Sequence, residues 1–146
     1  MKIYLDTCAL HRPLDSHTQI RVTLEAEAIL GVIALCEAGE VELISSEVLH
    51  FEVKRNPRPE RKEYALAVLA KANAFIRLDE GIEQRARTFQ SWGLKPLDAL
   101  HLAAAEAGKA DYFCTADDRL LKRGKSIADL QTVIVSPIEL IEEINQ

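Results

Sequence analysis

Four short β-rich runs, Lys2–Leu5, Val41–Ile44, Asp111–Cys114 and Thr132–Val135, show no clean alternation of apolar and polar residues. A strand with one wet face alternates with a period of two, so runs without it belong to a sheet covered on both faces, as parallel sheets are. Phe75–Leu78 offers a fifth, shorter edge strand. Helical patterns fill the gaps. Val22, Ala26, Ile29, Ile33 and Cys36 place one stripe on a helix over about Thr18 to Ala38, ended by Gly39. A short helix starts at Ser46, a good N-cap, and stops before Asn56-Pro57. Others are expected at Glu60–Asn73, Glu80–Trp92, Pro96–Ala107 and Pro137–Ile144. Strands interleaved with helices predict an α/β sandwich on a parallel sheet of four to five strands. With no repeat, low-complexity tract or linker, residues 1–146 read as a single domain.

Composition narrows the chemistry by exclusion. Cys8, Cys36 and Cys114 are odd in number and lack C-x-x-C spacing, which argues against a disulfide framework or a structural zinc site. The start has no signal-peptide pattern, and Ala28 to Cys36, the most apolar window, is far below the roughly 20 residues of a membrane span. A cytoplasmic protein with no membrane partner is the expectation. The net charge of −5 argues mildly against bulk nucleic-acid binding, yet basic residues gather in Lys54–Lys62 and Arg119–Lys125. Such runs are as often a solvated face as a binding surface.

The acids are more telling. Ligands of an open parallel sheet bind at the carboxyl ends of its strands. Asp6 ends the first strand, and Asp117 follows the Asp111–Cys114 strand by three residues, so both should project from one edge. Either alone is an ordinary turn former. In SSEVLHFEV, Glu47 is explained by the dipole of a first helical turn, whereas Glu52 shares a face with Val48 and Leu49 and needs a partner. Glu52 is the better pocket candidate, with Glu47 left open. Asp98 lies near the start of a nearly all-apolar helix, and His101, three residues on, reads as a core or supporting residue rather than a metal ligand. Asp118 reads as part of a Thr115-x-x-Asp118 capping box. Four converging acids repel unless neutralised, and hard oxygen ligands suit Mg²⁺ or Mn²⁺, the chemistry of phosphodiester hydrolysis.

YLDT at the start, GLKPLDALHLAAA in the middle and ADYFCTADDRLL near the end resemble the PIN-domain (PilT N-terminus) family. The resemblance implies a three-layer α/β/α sandwich, an acidic Mg²⁺- or Mn²⁺-binding pocket and, for small members, an endoribonuclease that serves as the toxin of a toxin–antitoxin pair. On the matching motifs the pocket acids, catalytic and metal-holding, are Asp6, Glu52, Asp98 and Asp117, with Thr115 and His101 supporting them. RNA is then the substrate, an antitoxin protein a partner, and a homodimer a common state. Arg12, Lys54, Arg55 and Arg119, close in sequence to these acids, are candidate phosphate contacts, although Arg12 reads equally as a surface arginine. Cys8 stands where asparagine is frequent and reads as a small buried residue. It is followed by an unusual His11-Arg12-Pro13 loop.

Two rivals stand beside this reading. A PIN fold kept only to bind protein or RNA would have no reason to retain four mutually repelling acids. A phosphatase or receiver domain with Asp6 as nucleophile fits poorly, because Cys8 occupies the place of the second aspartate of the first pattern and the first strand offers one acid where the second wants a pair.

Overall fold

The computed structural model describes all residues from Met1 to Gln146. Five parallel strands, β1 (Lys2–Leu5), β2 (Glu42–Ser46), β3 (Ala74–Ile76), β4 (Tyr112–Cys114) and β5 (Val133–Val135), form one sheet in the order β3-β2-β1-β4-β5. Ile3, Tyr4 and Leu5 of the central strand are fully buried, which accounts for its lack of alternation. At the edges Phe75 and Val133 keep about half their surface in water. Eight α-helices cover the sheet: α1 (Thr7–His11), α2 (Ile20–Glu37), α3 (Glu47–Lys54), α4 (Pro59–Leu69), α5 (Glu80–Ser91), α6 (Pro96–Ala107), α7 (Asp118–Lys125) and α8 (Pro137–Ile144). The result is an α/β/α sandwich. α2 packs on α8 and α5 on α6. The buried apolar residues, from Ile3 to Leu140, make one continuous cluster. No helix is long and apolar enough to cross a membrane.

The chain leaves β1 for β2 and β3 on one side, then crosses to β4 and β5 on the other. The strand order therefore reverses between β1 and β4, and a crevice opens beyond their carboxyl ends. The Tyr4↔Phe113 and Leu5↔Cys114 register sets Asp6 and Thr115 next to each other as the strands end, with the Asp6 amide donating to the Cys114 carbonyl at 3.1 Å.

Three local expectations are corrected. His11-Arg12-Pro13 is helical rather than a loop: α1 runs to His11 and a 3-10 turn covers Arg12–Leu14. Five residues are too few to print an apolar period, and the Asp6 side chain nucleates the helix by accepting the Ala9 amide at 2.9 Å. The helix expected to reach Asn73 ends at Leu69, because Asn73 already pairs with β2: its amide donates to the Leu43 carbonyl and its Oδ1 accepts the Leu43 amide. The Thr115-x-x-Asp118 capping box is not formed. Asp117 itself caps α7, accepting the Arg119 and Leu120 amides at 2.9 and 3.3 Å, and Asp118 pairs with Arg21.

Candidate active site

Asp6 and Asp117 occupy equivalent places at the switch point. Each follows its strand, and each caps the next helix through its own Oδ1. For Asp117 the turn-former and pocket readings of a strand-end aspartate need not compete, since one oxygen holds backbone while the residue lines the crevice; Asp6 lies beneath it. Asp6 is only 3% exposed. Burial pushes its carboxyl up to about 6, helped by the charge of Asp98 and opposed by the Thr115 hydroxyl, the Ala9 amide and His101. The Thr115 hydroxyl also accepts the Asp117 amide at 3.1 Å, so one buried threonine braces both strand-end acids.

Glu52 reaches the crevice from α3. Its Oε1 accepts the Thr7 hydroxyl and, at 2.9 Å, His101 Nε2. Burial works against its charge, but these hydrogen bonds prevail and hold its carboxyl below the usual range. His101, buried in α6, passes the connection inward. Its Nδ1 lies 2.7 Å from the Tyr4 hydroxyl, which lies 2.7 Å from Ser46 Oγ. With Nε2–H given to Glu52, Nδ1 accepts from Tyr4, Tyr4 accepts from Ser46, and Ser46 accepts the Leu49 amide that it caps. Every buried donor in this chain meets an acceptor. Glu47, left open above, turns away: its Oε1 accepts the Leu78 amide at 2.9 Å, at the end of β3.

Asp98, in the first turn of α6, differs from the other three because its carboxylate makes no hydrogen bond. Burial raises its carboxyl; His101 lowers it, and Asp117 and Glu52 raise it further. Asp98 and Asp117 line one hollow of the crevice with Lys95, Arg119 and Arg123. Glu52 and Asp117 line another with Thr7, Cys8, His11, Arg12 and Arg61. Asp117 is the saddle between them.

Cys8 stands at this mouth, exposed rather than buried as expected, because α1 turns it outward while Ala9 and Leu10 enter the core. Crowding of the thiol, then the charges of Asp6, Asp117, Glu52 and Asp98, push it up to about 12. A thiol surrounded by four carboxylates is no nucleophile.

No three of these side chains close into a ready-made ion cage. The donor set nevertheless fits a hard cation. All four are carboxylates, Glu52 and Asp117 each commit one oxygen to the protein, Asp98 commits none, and the repulsion raising Asp98 is what a dication would relieve. Mg²⁺ usually keeps several waters and takes only one or two direct carboxylates, so a loose acidic ring suffices.

The candidate phosphate contacts separate. Arg119 lines the Asp98–Asp117 hollow. Arg12 lines the other, but its guanidinium is taken by Glu25 at 2.7 Å and Asp15 at 3.1 Å. Lys54 and Arg55 end α3 and line neither hollow, with Arg55 resting 4.9 Å over the Phe51 ring. Sequence reasoning missed Tyr4 and Thr7, whose partners are 97 and 45 residues away, and His11, buried beside the pocket with Nε2 unpartnered. The spacing of Ser46 before Glu52 was the one visible trace of the chain linking them.

The model of the PIN domain family matches residues 3–126. No curated protein matches the chain. Among solved structures, VapBC2 from Rickettsia felis, bound to a DNA fragment from their promoter, aligns over 93% of this chain and 98% of its own with a TM-score of 0.60 at 13% identity. PAE2754 from Pyrobaculum aerophilum aligns over 99% of this chain and 90% of its own with a TM-score of 0.56 at 15% identity. At such identities these two likenesses speak for the fold alone.

Proposed function

The chain belongs to the PIN domain family, and from that membership and its pocket we propose that it is a metal-dependent endoribonuclease hydrolysing RNA phosphodiester bonds. The observation that carries this reading is that Glu52, Asp98 and Asp117, from separate elements, line adjoining hollows above the buried Asp6, with Asp98 left without a partner. A protein that used the fold only as a scaffold would gain stability by losing the charges of Asp6 and Asp98, whose surroundings push their carboxyls up.

In this reading Asp6, Glu52, Asp98 and Asp117 hold one or two Mg²⁺ or Mn²⁺ ions, directly or through water. A bound ion supplies an acidified water and offsets charge on the phosphate in the transition state. The protein's part is placement. The caps of α1 and α7 orient Asp6 and Asp117, the Thr7 and His101 hydrogen bonds fix Glu52, and Thr115 couples the two strand ends. Residues 1–146 act as one PIN-like unit in the cytoplasm. By family analogy the chain is the toxin of a toxin–antitoxin pair, its partner an antitoxin and its assembly a homodimer. The fold shared with VapBC2 is in keeping with that.

The test is cleavage of structured and single-stranded RNAs with Mg²⁺ or Mn²⁺, with an EDTA control and Asp6→Asn and Asp98→Asn alongside. Cleavage that needs metal and vanishes in both variants supports the reading. Absence of both cleavage and metal binding by calorimetry overturns it in favour of a PIN-fold module that binds protein or RNA.

A further inference from the structure

Five lysines and arginines line the hollows that hold the acids and a sixth, Lys122, lines the one adjoining, and they divide by what already holds them. Arg12 and Arg61 are held in ion pairs with Asp15, and Arg12 also with Glu25. Lys95, Arg119, Lys122 and Arg123 are exposed and enter no ion pair. The unpaired four are contiguous. The hollow lined by Lys95, Asp98, Asp117, Arg119 and Arg123 adjoins a second, lined only by Arg119, Lys122, Arg123 and Ser126. These last four follow i, i+3, i+4, i+7 spacing, one stripe of α7. Lys125, off that stripe, pairs with Glu139.

A solvated helix face is the ordinary explanation of exposed lysines and arginines, and a left-handed backbone just past α5 by itself calls for glycine at 93, but neither accounts for how closely Arg123 lies over it. This glycine has φ of 103°, and a Cβ built on it would fall 2.3 Å from Arg123 Nη1. The guanidinium thus crosses directly over bare backbone, beside Asp98 and Asp117 and with no carboxylate bound. Any side chain at 93 would displace it. Exposed Trp92 and half-buried Ile127 share a hollow with Ser126 at the far end of the stripe. Arg119, Lys122 and Arg123, however, lie with no apolar residue between them and the acids other than Leu94 and Leu120, and a row of unpaired cations leading to an acid site suits a polyanion.

We propose that Lys95, Arg119, Lys122 and Arg123 form a track for the backbone phosphates of RNA, leading along α7 to the Asp98–Asp117 hollow, with Gly93 as the positioning residue for Arg123. The identity of the polyanion rests on the ribonuclease reading; the track itself does not.

Binding of a fluorescently labelled single-stranded RNA, followed by anisotropy in EDTA across a salt series, separates the two. Replacing Arg119, Lys122 and Arg123 together by Gln should weaken binding at low salt and make the slope of log K against log salt shallower by about 2, at about 0.7 per lost single-strand contact. Lys54→Gln with Arg55→Gln should leave the slope unchanged. Gly93→Ala should weaken binding in the wild type yet add nothing in an Arg123→Gln background, the signature of action through that side chain. Thermal melts confirm that each variant is folded. An unaltered slope in the triple variant, or a slope that follows Lys54 and Arg55 instead, overturns the track and leaves α7 a solvated face or a protein contact. Further loss from Gly93→Ala on top of Arg123→Gln overturns its positioning role. A wild type that cleaves RNA but whose binding ignores the track refutes the track alone. One that shows the slope change but neither cleaves RNA nor binds Mg²⁺ or Mn²⁺ supports the track and refutes the ribonuclease.

Discussion

On the α1 flank of the crevice, Arg12 clasps Glu25 and Asp15, Arg61 clasps Asp15, and Glu52 is tied to Thr7 and His101. On the α7 flank, Asp98 has no hydrogen bond, and Lys95, Arg119, Lys122 and Arg123 have no counter-ion. The residue types are alike on both sides, but their states are opposite. On the first flank charge is neutralised internally and serves the fold. On the second it is left unsatisfied at the surface, where it contributes little to stability and is free to meet an ion or a phosphate.

The sharpest way to break this contrast is Asp98→Asn. Cleavage should fall by more than the roughly 10–100-fold typical of losing an outer-shell partner. Stability without metal should hold or rise, because a repelled carboxyl has been removed. A large fall in melting temperature would mean that Asp98 belongs with the structural acids. Arg12→Gln probes the other flank. It strands Glu25, whose side chain is 4% exposed, leaving only Arg21 at 3.5 Å. Denaturant unfolding should show a loss of about 2–4 kcal/mol, toward the lower end of what breaking a buried pair costs.

Asp6, beneath both flanks, gives a pH signature. Its carboxyl is raised from 3.8 to about 6, so the folded chain holds this proton more tightly than the unfolded one. Stability from this group is therefore complete below about pH 4 and lost as pH rises through about 6. Asp6→Asn keeps a capping side chain and removes the charge. In EDTA at pH 7 it should be more stable than the wild type by about 3 kcal/mol, at 1.36 kcal/mol per pH unit, and the difference should close near pH 4. A gap independent of pH would assign the effect to packing.

Tyr4→Phe cuts the buried chain between Ser46 and His101. Leaving His101 Nδ1 and Ser46 Oγ short of a partner should cost about 1–2 kcal/mol in denaturant melts. Cleavage should fall with it as Glu52 loses its brace, and Ser46→Ala on top of Tyr4→Phe should cost further stability, because it also removes the cap of α3. Smallest of all, Arg123→Gln should change the unfolding free energy by within about 0.5 kcal/mol, as surface changes do. A larger loss would show that this cation is structurally engaged after all.

Much of this was legible in the chain before any fold was known. The unalternating β1 run, the prolines opening α6 and α8, and the Val22–Ala26–Ile29–Ile33 stripe each reflect a local rule, a period or a backbone preference, that is written in adjacent residues. So were the places of Asp6 and Asp117, because a residue that ends a parallel strand has little choice of direction. The short α1 was not legible, since its start depends on one carboxylate cap rather than on a period, and Asn73 gave no sign that it would join β2.

What only the tertiary structure decided is which charges are satisfied. Arg12 and Arg119 are the same side chain, one three residues before Asp15 and the other next to Asp118, and no local rule tells them apart. Glu25 comes to Arg12 from thirteen residues away on α2, and Tyr4 meets His101 across 97 residues. Such pairings follow from how helices pack on the sheet. The sequence by itself determined a parallel α/β sheet with acids at its carboxyl edge. Packing, through long-range hydrogen bonds and ion pairs that cancel charge on one flank and leave it bare on the other, decided which of those groups remain free to act.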